Sequence, residues 1–173
     1  MKGLRVFVPV MAGLLVTATA AKADQIRALL TGYEETPAAV STTGRGEFIA
    51  TIDPDSDAIH YRETFNGLQG SVTQSHIHVG QLSITGSIVI FLCQTSTNPD
   101  PTGLAPQCPQ QGSVTGKITA ANVIAGSQAP QQLAAGDLAA VITAIRAGAA
   151  YANVHTQLSP GGEIRGQIRT VGK

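Results

Sequence analysis

From Gln25 onward the chain is divided into short β-prone segments by closely spaced turn signals, and that rhythm restricts it to few folds. Ser41-Thr42-Thr43-Gly44, Asp53-Pro54-Asp55-Ser56-Asp57, Asn66-Gly67 and Ser159-Pro160-Gly161-Gly162 are all turn formers. Gly reaches positive φ, Pro presets φ, and Asp or Asn side chains bond back to the backbone. Between these punctuations, residues 25–31, 45–52, 58–65, 72–79, 86–93, 113–120, 149–156 and 163–170 read as strands. Segments 45–52 and 58–65 are expected to form a hairpin. Residues 86–93 (Gly-Ser-Ile-Val-Ile-Phe-Leu-Cys) are apolar almost throughout, as expected of a strand covered on both faces. In the last segment Gly162, Ile164, Gly166 and Ile168 share one face, and Glu163, Arg165, Gln167 and Arg169 share the other. One side therefore packs while the other meets solvent or a site. Helical spacing occurs once, at Leu138, Val141, Ile142 and Ile145, with Asp137 placed as N-cap and Gly148 as C-cap. About eight strands and one late helix predict an all-β chain, an antiparallel β-sandwich or barrel with one short helix inserted late.

The first 23 residues stand apart. Lys2 and Arg5 precede an apolar run from Val6 to Ala20, and Ala21-Lys22-Ala23 forms an A-x-A cleavage site. This is the pattern of a secretory signal peptide, with an apolar run short for a membrane span. The expected mature protein is residues 24–173, one domain exported to the periplasm or the medium, with no further span. Loss of Lys2, Arg5 and Lys22 turns the balance of 11 basic and 11 acidic residues into 8 against 11. A mildly acidic chain argues against nucleic acid or an anionic membrane surface as partner. Cys93 and Cys108 are the two cysteines. An even count in an exported chain predicts a disulfide closing the polar, Pro-rich residues 94–107. A cysteine metal site is the rival reading, and no histidine lies near either cysteine in sequence.

Two of the four histidines stand in His76-Ile77-His78. Residues two apart on a strand share a face, so these imidazoles stand side by side, about 6.5–7 Å apart at the backbone. The same parity groups His155 with Tyr151 and Asn153, opposite Ala152 and Val154. Three histidines on polar strand faces point to a His₃ site for copper or zinc, since neutral imidazole is the commonest nitrogen ligand for both. The site requires the His155 strand to lie beside the His76–His78 strand. The alternative is that the histidines are merely solvated, because His-x-His by itself is a weak signal. His60, in a strand with Arg62 and Thr64, reads as part of a generic polar face. Glu163 and Arg165 read as a charge pair on one face. They are placed to orient His155 through hydrogen bonds or to bind an anion, though exposed pairs of this kind are common and weak. There is no Gly-x-Ser-x-Gly elbow, phosphate-binding Gly-rich loop or His-Glu-x-x-His. Glu34 and Glu35 are adjacent and face opposite ways, so nothing marks them as an acid–base pair. No catalytic residue is assigned. The lack of Trp argues against a carbohydrate-stacking surface.

Four stretches carry a resemblance to a known family. They are Leu29-Leu30-Thr31-Gly32-Tyr33-Glu34-Glu35-Thr36-Pro37, His76-Ile77-His78-Val79-Gly80, the run from Ile145 to Thr156, and Gly161-Gly162-Glu163-Ile164-Arg165-Gly166-Gln167. In this order the chain resembles the CHRD domain, a module repeated in chordin and found singly in exported bacterial proteins. It departs in its long Cys93–Cys108 segment and in Gln81-Leu82-Ser83 after the His-x-His. The resemblance implies an Ig-like or dismutase-like β-sandwich and implies little about activity.

Three readings follow. The first is an exported domain binding copper or zinc through His76, His78 and His155, flanked by Tyr151 and Asn153 and supported by Glu163 and Arg165. The second is a non-catalytic module that binds an extracellular protein or matrix partner without metal. The third is a copper-dependent redox enzyme resembling superoxide dismutase, which needs an open coordination position beside a pocket. The oligomeric state is not readable from the chain.

Overall fold

A computed structural model describes residues 23–172. The predicted leader, residues 1–23, lies outside the described residues except for Ala23. The strands are β1 (Asp24–Thr31), β2 (Arg45–Ile52), β3 (Ile59–Asn66), β4 (Val72–Val79), β5 (Ser87–Cys93), β6 (Gly112–Ile118), β7 (Ala150–Thr156), β8 (Ile164–Gln167) and β9 (Arg169–Thr170). The helix α1 is Leu138–Arg146. The sheet order is β5-β4-β7-β8-β1-β2-β3-β6, with β9 beside β1. Every strand pairing is antiparallel.

The chain is thus all-β with one late helix, and the sheet folds back on itself like a sandwich. The two halves meet through only one register pair between β1 and β8, Thr31 with Arg165. They face each other across one core. The Tyr61 hydroxyl on β3 donates to the Leu92 carbonyl on β5 at 2.5 Å. Phe48, Phe65, Ile26, Leu30, Ile77, Ile90, Leu92 and Val154 fill the space between. The alternation that predicts a half-buried strand is clearest in β3, where Ile59, Tyr61, Glu63 and Phe65 face inward and His60 and Arg62 face out.

The helix closes the core from one end. Asp137 accepts a bond from the Ala140 N–H at 2.9 Å, as its N-cap position predicts. Gly148 has φ +70° just past the last turn, a conformation that glycine adopts freely. Leu138, Val141, Ile142 and Ile145 are its buried face, each worth about 1.5–3 kcal/mol of burial.

Two sequence expectations are revised, and an open alternative is decided. The last strand is broken at Ile168 into β8 and β9, because Ile168 turns its backbone N–H to the Ala150 carbonyl. Of the two alternatives for its polar face, solvent is excluded, since Arg165 and Gln167 are buried. Glu163 and Arg165 do not pair. Glu163 accepts bonds from Thr42, Thr156 and the Gln69 and Gly70 N–H groups, while Arg165 turns to other partners.

Cys93 and Cys108 form a disulfide. The loop it closes is ordered from within by Asp100, whose carboxylate accepts from the Thr102, Leu104 and Ala105 N–H groups. Replacing both cysteines with Ser frees a loop with a separation of 15 residues, expected to lower stability by about 3 kcal/mol in urea unfolding. A loss below about 1 kcal/mol would show that the loop is held without the bond.

One polar group sits inside the core. The Glu63 carboxyl is fully buried, and its Oε2 lies 2.5 Å from Ser75 Oγ. Ser75 Oγ is also 3.0 Å from the Asn153 carbonyl. A carbonyl only accepts, so the serine hydroxyl donates to Asn153 and accepts from Glu63. Glu63 must then carry a proton, which agrees with burial pushing its carboxyl up to about 8.

Candidate functional site

Strands β4 and β7 pair side by side, with His76 opposite Asn153 and His78 opposite Tyr151. His155 lies two residues along β7 from Asn153 and so shares its face. This pairing meets the one condition that the sequence could not supply. The ring centroids of His76 and His155 are 4.8 Å apart, those of His76 and His78 5.4 Å, and those of His78 and His155 6.2 Å. One ligand atom from each of the three lies within 4.8 Å of the others. His60 does not join them. It lies on β3, exposed, 3.5 Å from Asp53.

The cluster is not on an open face. His76, His78 and His155 are 0%, 5% and 6% exposed. Loops cover this half of the sheet, and several of them bond directly to the site. His155 Nδ1 lies 2.9 Å from the Pro160 carbonyl, and His78 Nδ1 lies 3.1 Å from the Gly86 carbonyl. Gly86 is required there, because a Cβ would collide with the Val79 carbonyl.

These two carbonyls fix the tautomers. Each accepts only, so Nδ1 of His78 and of His155 carries the proton and Nε2 presents a lone pair. His78 Nε2 has no hydrogen-bond partner, and neither has His76 Nε2. His76 Nδ1 lies 3.2 Å from His155 Nε2. Asn153 Oδ1 lies 3.1 Å from the same Nε2, so two lone pairs face each other at contact distance. That is repulsive with nothing between them, and a shared cation or a turned amide relieves it. Buried acceptors left without donors cost about 1–3 kcal/mol each, and a cation placed among them removes that cost.

All three rings are held neutral. Burial pushes His76 well below the ordinary imidazole value, helped by His155 and His78. Burial also takes His78 down to about 4 against the Gly86 bond, and it lowers His155. Neutral imidazole is the ligand form.

Aromatic rings and a buried cation wall the site. Phe91 meets His76 edge-on at 4.3 Å, and Tyr151 stacks on His78 at 4.6 Å with 9° between planes. The Arg165 guanidinium carbon lies 3.5 Å from the Tyr151 ring centroid, a cation–π contact. Arg165 is 1% exposed and donates to Thr36 Oγ1, the Gln81 carbonyl and the Ile84 carbonyl. One side chain thereby ties two covering loops to β8.

A family comparison places these residues. The model of the CHRD domain matches residues 26–168. The chain belongs to the CHRD-domain family. No curated protein and no solved structure matches it. In this CHRD domain the His-x-His motif and the later histidine are parts of one buried cluster, and Tyr151 and Asn153 touch that cluster directly. Arg165 reaches it through Tyr151. Glu163 lies elsewhere and ties the loops around Thr42 and Gly70 to β7. Burial alone would raise its carboxyl, but its four hydrogen bonds outweigh this and hold it below the ordinary value.

Sequence reading missed Glu35. It is 7% exposed, and burial pushes its carboxyl up to about 7 against Arg165, the Thr36 N–H and the Asn153 amide. A Cβ on Gly162, which has φ +127°, would strike this carboxylate. The available signal was its place in Glu34-Glu35-Thr36-Pro37, within the stretch that carries the family resemblance. A groove of about 850 Å³ lies across β1, β2, β3 and β6 of this CHRD domain and is lined by none of the three clustered histidines. Among the described residues no helix is long and apolar enough to cross a membrane.

Proposed function

We propose that this CHRD domain binds one copper or zinc ion through His76, His78 and His155, as part of an exported protein. The observation that carries the reading is the convergence of three buried, neutral imidazoles. Two ring nitrogens in that group have no other partner. Solvated histidines would leave those nitrogens in water, and satisfied core histidines would pair them. The geometry matches neither description. The disulfide and the leader composition support export.

Asn153 stands as a neutral oxygen donor beside the three nitrogens, and Tyr151 fixes the plane of the His78 ring. Hydrogen bonds from Nδ1 to the Gly86 and Pro160 carbonyls aim the two Nε2 atoms, the usual role of groups behind a metal ligand. The redox-enzyme reading draws no support from the groove, which lies on the other half of the sheet. A metal-free interaction module explains none of the unpartnered nitrogens.

The test is a titration of purified protein with copper and with zinc. One equivalent is expected to bind, and His78→Ala is expected to abolish it while the far-UV circular dichroism stays unchanged. Undiminished binding in a folded His78→Ala protein would remove this cluster as the site.

A further inference from the structure

The donor set also bears on which ion it can hold. All three imidazoles are neutral, and Asn153 adds a neutral amide. No carboxylate or thiolate belongs to the group among the described residues. Three buried carboxyls lie in this part of the fold, Glu35, Glu63 and Glu163, and none belongs to the cluster. Glu63 faces the core and bonds Ser75, and Glu35 lies across Asn153 beside Arg165. A positive charge borders the site: Arg165 sits over the ring that stacks on His78.

No ligand atom of the cluster therefore offsets the charge of the ion. The Born cost of burying an ion rises as the square of its charge, so a dication costs about four times as much as a monocation of equal size. Zinc and cupric ions in histidine sites meet this cost with an anionic ligand or a bound hydroxide in an open fourth position. Here the rings are at most 6% exposed. Phe91 closes the His76 side, Tyr151 closes the His78 side, and Asn153 lies against His155 Nε2. A cuprous ion carries one charge and is satisfied by three donors in a trigonal arrangement.

We propose that the His76–His78–His155 cluster is a cuprous-ion site, selective for Cu(I) over Zn(II) and Cu(II) because its donor set is neutral and enclosed. The inference rests on the metal-binding reading above. It assigns the oxidation state as well as the element, and it gives Asn153 a defined part, that of keeping the fourth side uncharged.

The experiment is an anaerobic titration of the full-length mature protein with Cu(I), using bicinchoninate as competitor and ascorbate as reductant. It is run beside Zn(II) and Cu(II) titrations with matched chelators. One equivalent of Cu(I) is expected, held at least 100-fold more tightly than either dication. Asn153→Asp supplies the missing negative charge and is expected to tighten Zn(II) at least tenfold, narrowing the gap. Zn(II) or Cu(II) held as tightly as Cu(I) by the wild type would overturn this inference and leave the metal site standing. So would an Asn153→Asp protein with unchanged Zn(II) affinity. Failure of all three ions to bind the wild type would overturn both.

Discussion

Replacing Arg165 with Met is expected to cost about 3–5 kcal/mol of folding stability, the range for breaking a buried, hydrogen-bonded charge arrangement. The volume is nearly kept, so the loss is chiefly one of bonds and charge. Arg165 donates to Thr36 Oγ1 at 2.6 Å and to the Ile84 and Gln81 carbonyls at 3.0 and 3.2 Å. The variant leaves these acceptors unpaired and removes the positive charge that offsets the burial of Glu35. Arg165→Lys is expected to recover less than half of the loss, because a single ammonium cannot reproduce a fork that spans two loops. Urea unfolding measures both. A loss below 1 kcal/mol for Arg165→Met would mean that the covering loops hold themselves.

Glu63→Gln is expected to stabilise the protein, and the gain should grow with pH. The Glu63 carboxyl is raised from 4.5 to about 8 in the folded state. The sign follows from where the proton resides. Below pH 4.5 both folded and unfolded chains hold it, and the native carboxyl contributes in full. Between 4.5 and 8 only the folded chain holds it, so stability falls by about 1.4 kcal/mol per pH unit until the folded carboxyl ionises. Glutamine removes this dependence and can still donate to Ser75 Oγ. Near pH 4.5 the two proteins should be similar. At pH 7.5 the variant should be more stable by on the order of 2–3 kcal/mol, after allowance for one further buried N–H. Parallel stability–pH curves for the two proteins would contradict the proton assignment of the Glu63–Ser75–Asn153 chain.

These two residues show where sequence reading reached and where it stopped. Period-two alternation and turn chemistry identify most strands to within a residue or two, and the Asp137 cap marks the helix start. Glu63 was legible by the same rule: it falls in the inward parity with Ile59, Tyr61 and Phe65, and a carboxylate there is a buried acid. Arg165 is legible as a residue placed to support His155, on a face that alternation leaves open between solvent and a site. Alternation tells which face a side chain takes, but not whether a loop covers that face. The covering residues 32–37, 81–86 and 157–161 belong to no strand or α-helix, and their docking depends on tertiary contacts. The meeting of His155 with His76 was hidden for a related reason. Strand β7 pairs with β4 across more than 70 positions, and local pattern carries no record of such a partner. The break at Ile168 is likewise a tertiary event.

The central claim is that three buried imidazoles hold a metal ion. Elemental analysis of the protein purified under gentle conditions from its native compartment tests it most directly, with the triple variant His76→Ala/His78→Ala/His155→Ala prepared alongside. About one equivalent of copper or zinc per chain is expected in the wild type and none in the variant. A wild-type protein isolated without metal, which then takes up none on incubation with Cu(I), Cu(II) or Zn(II), would contradict it.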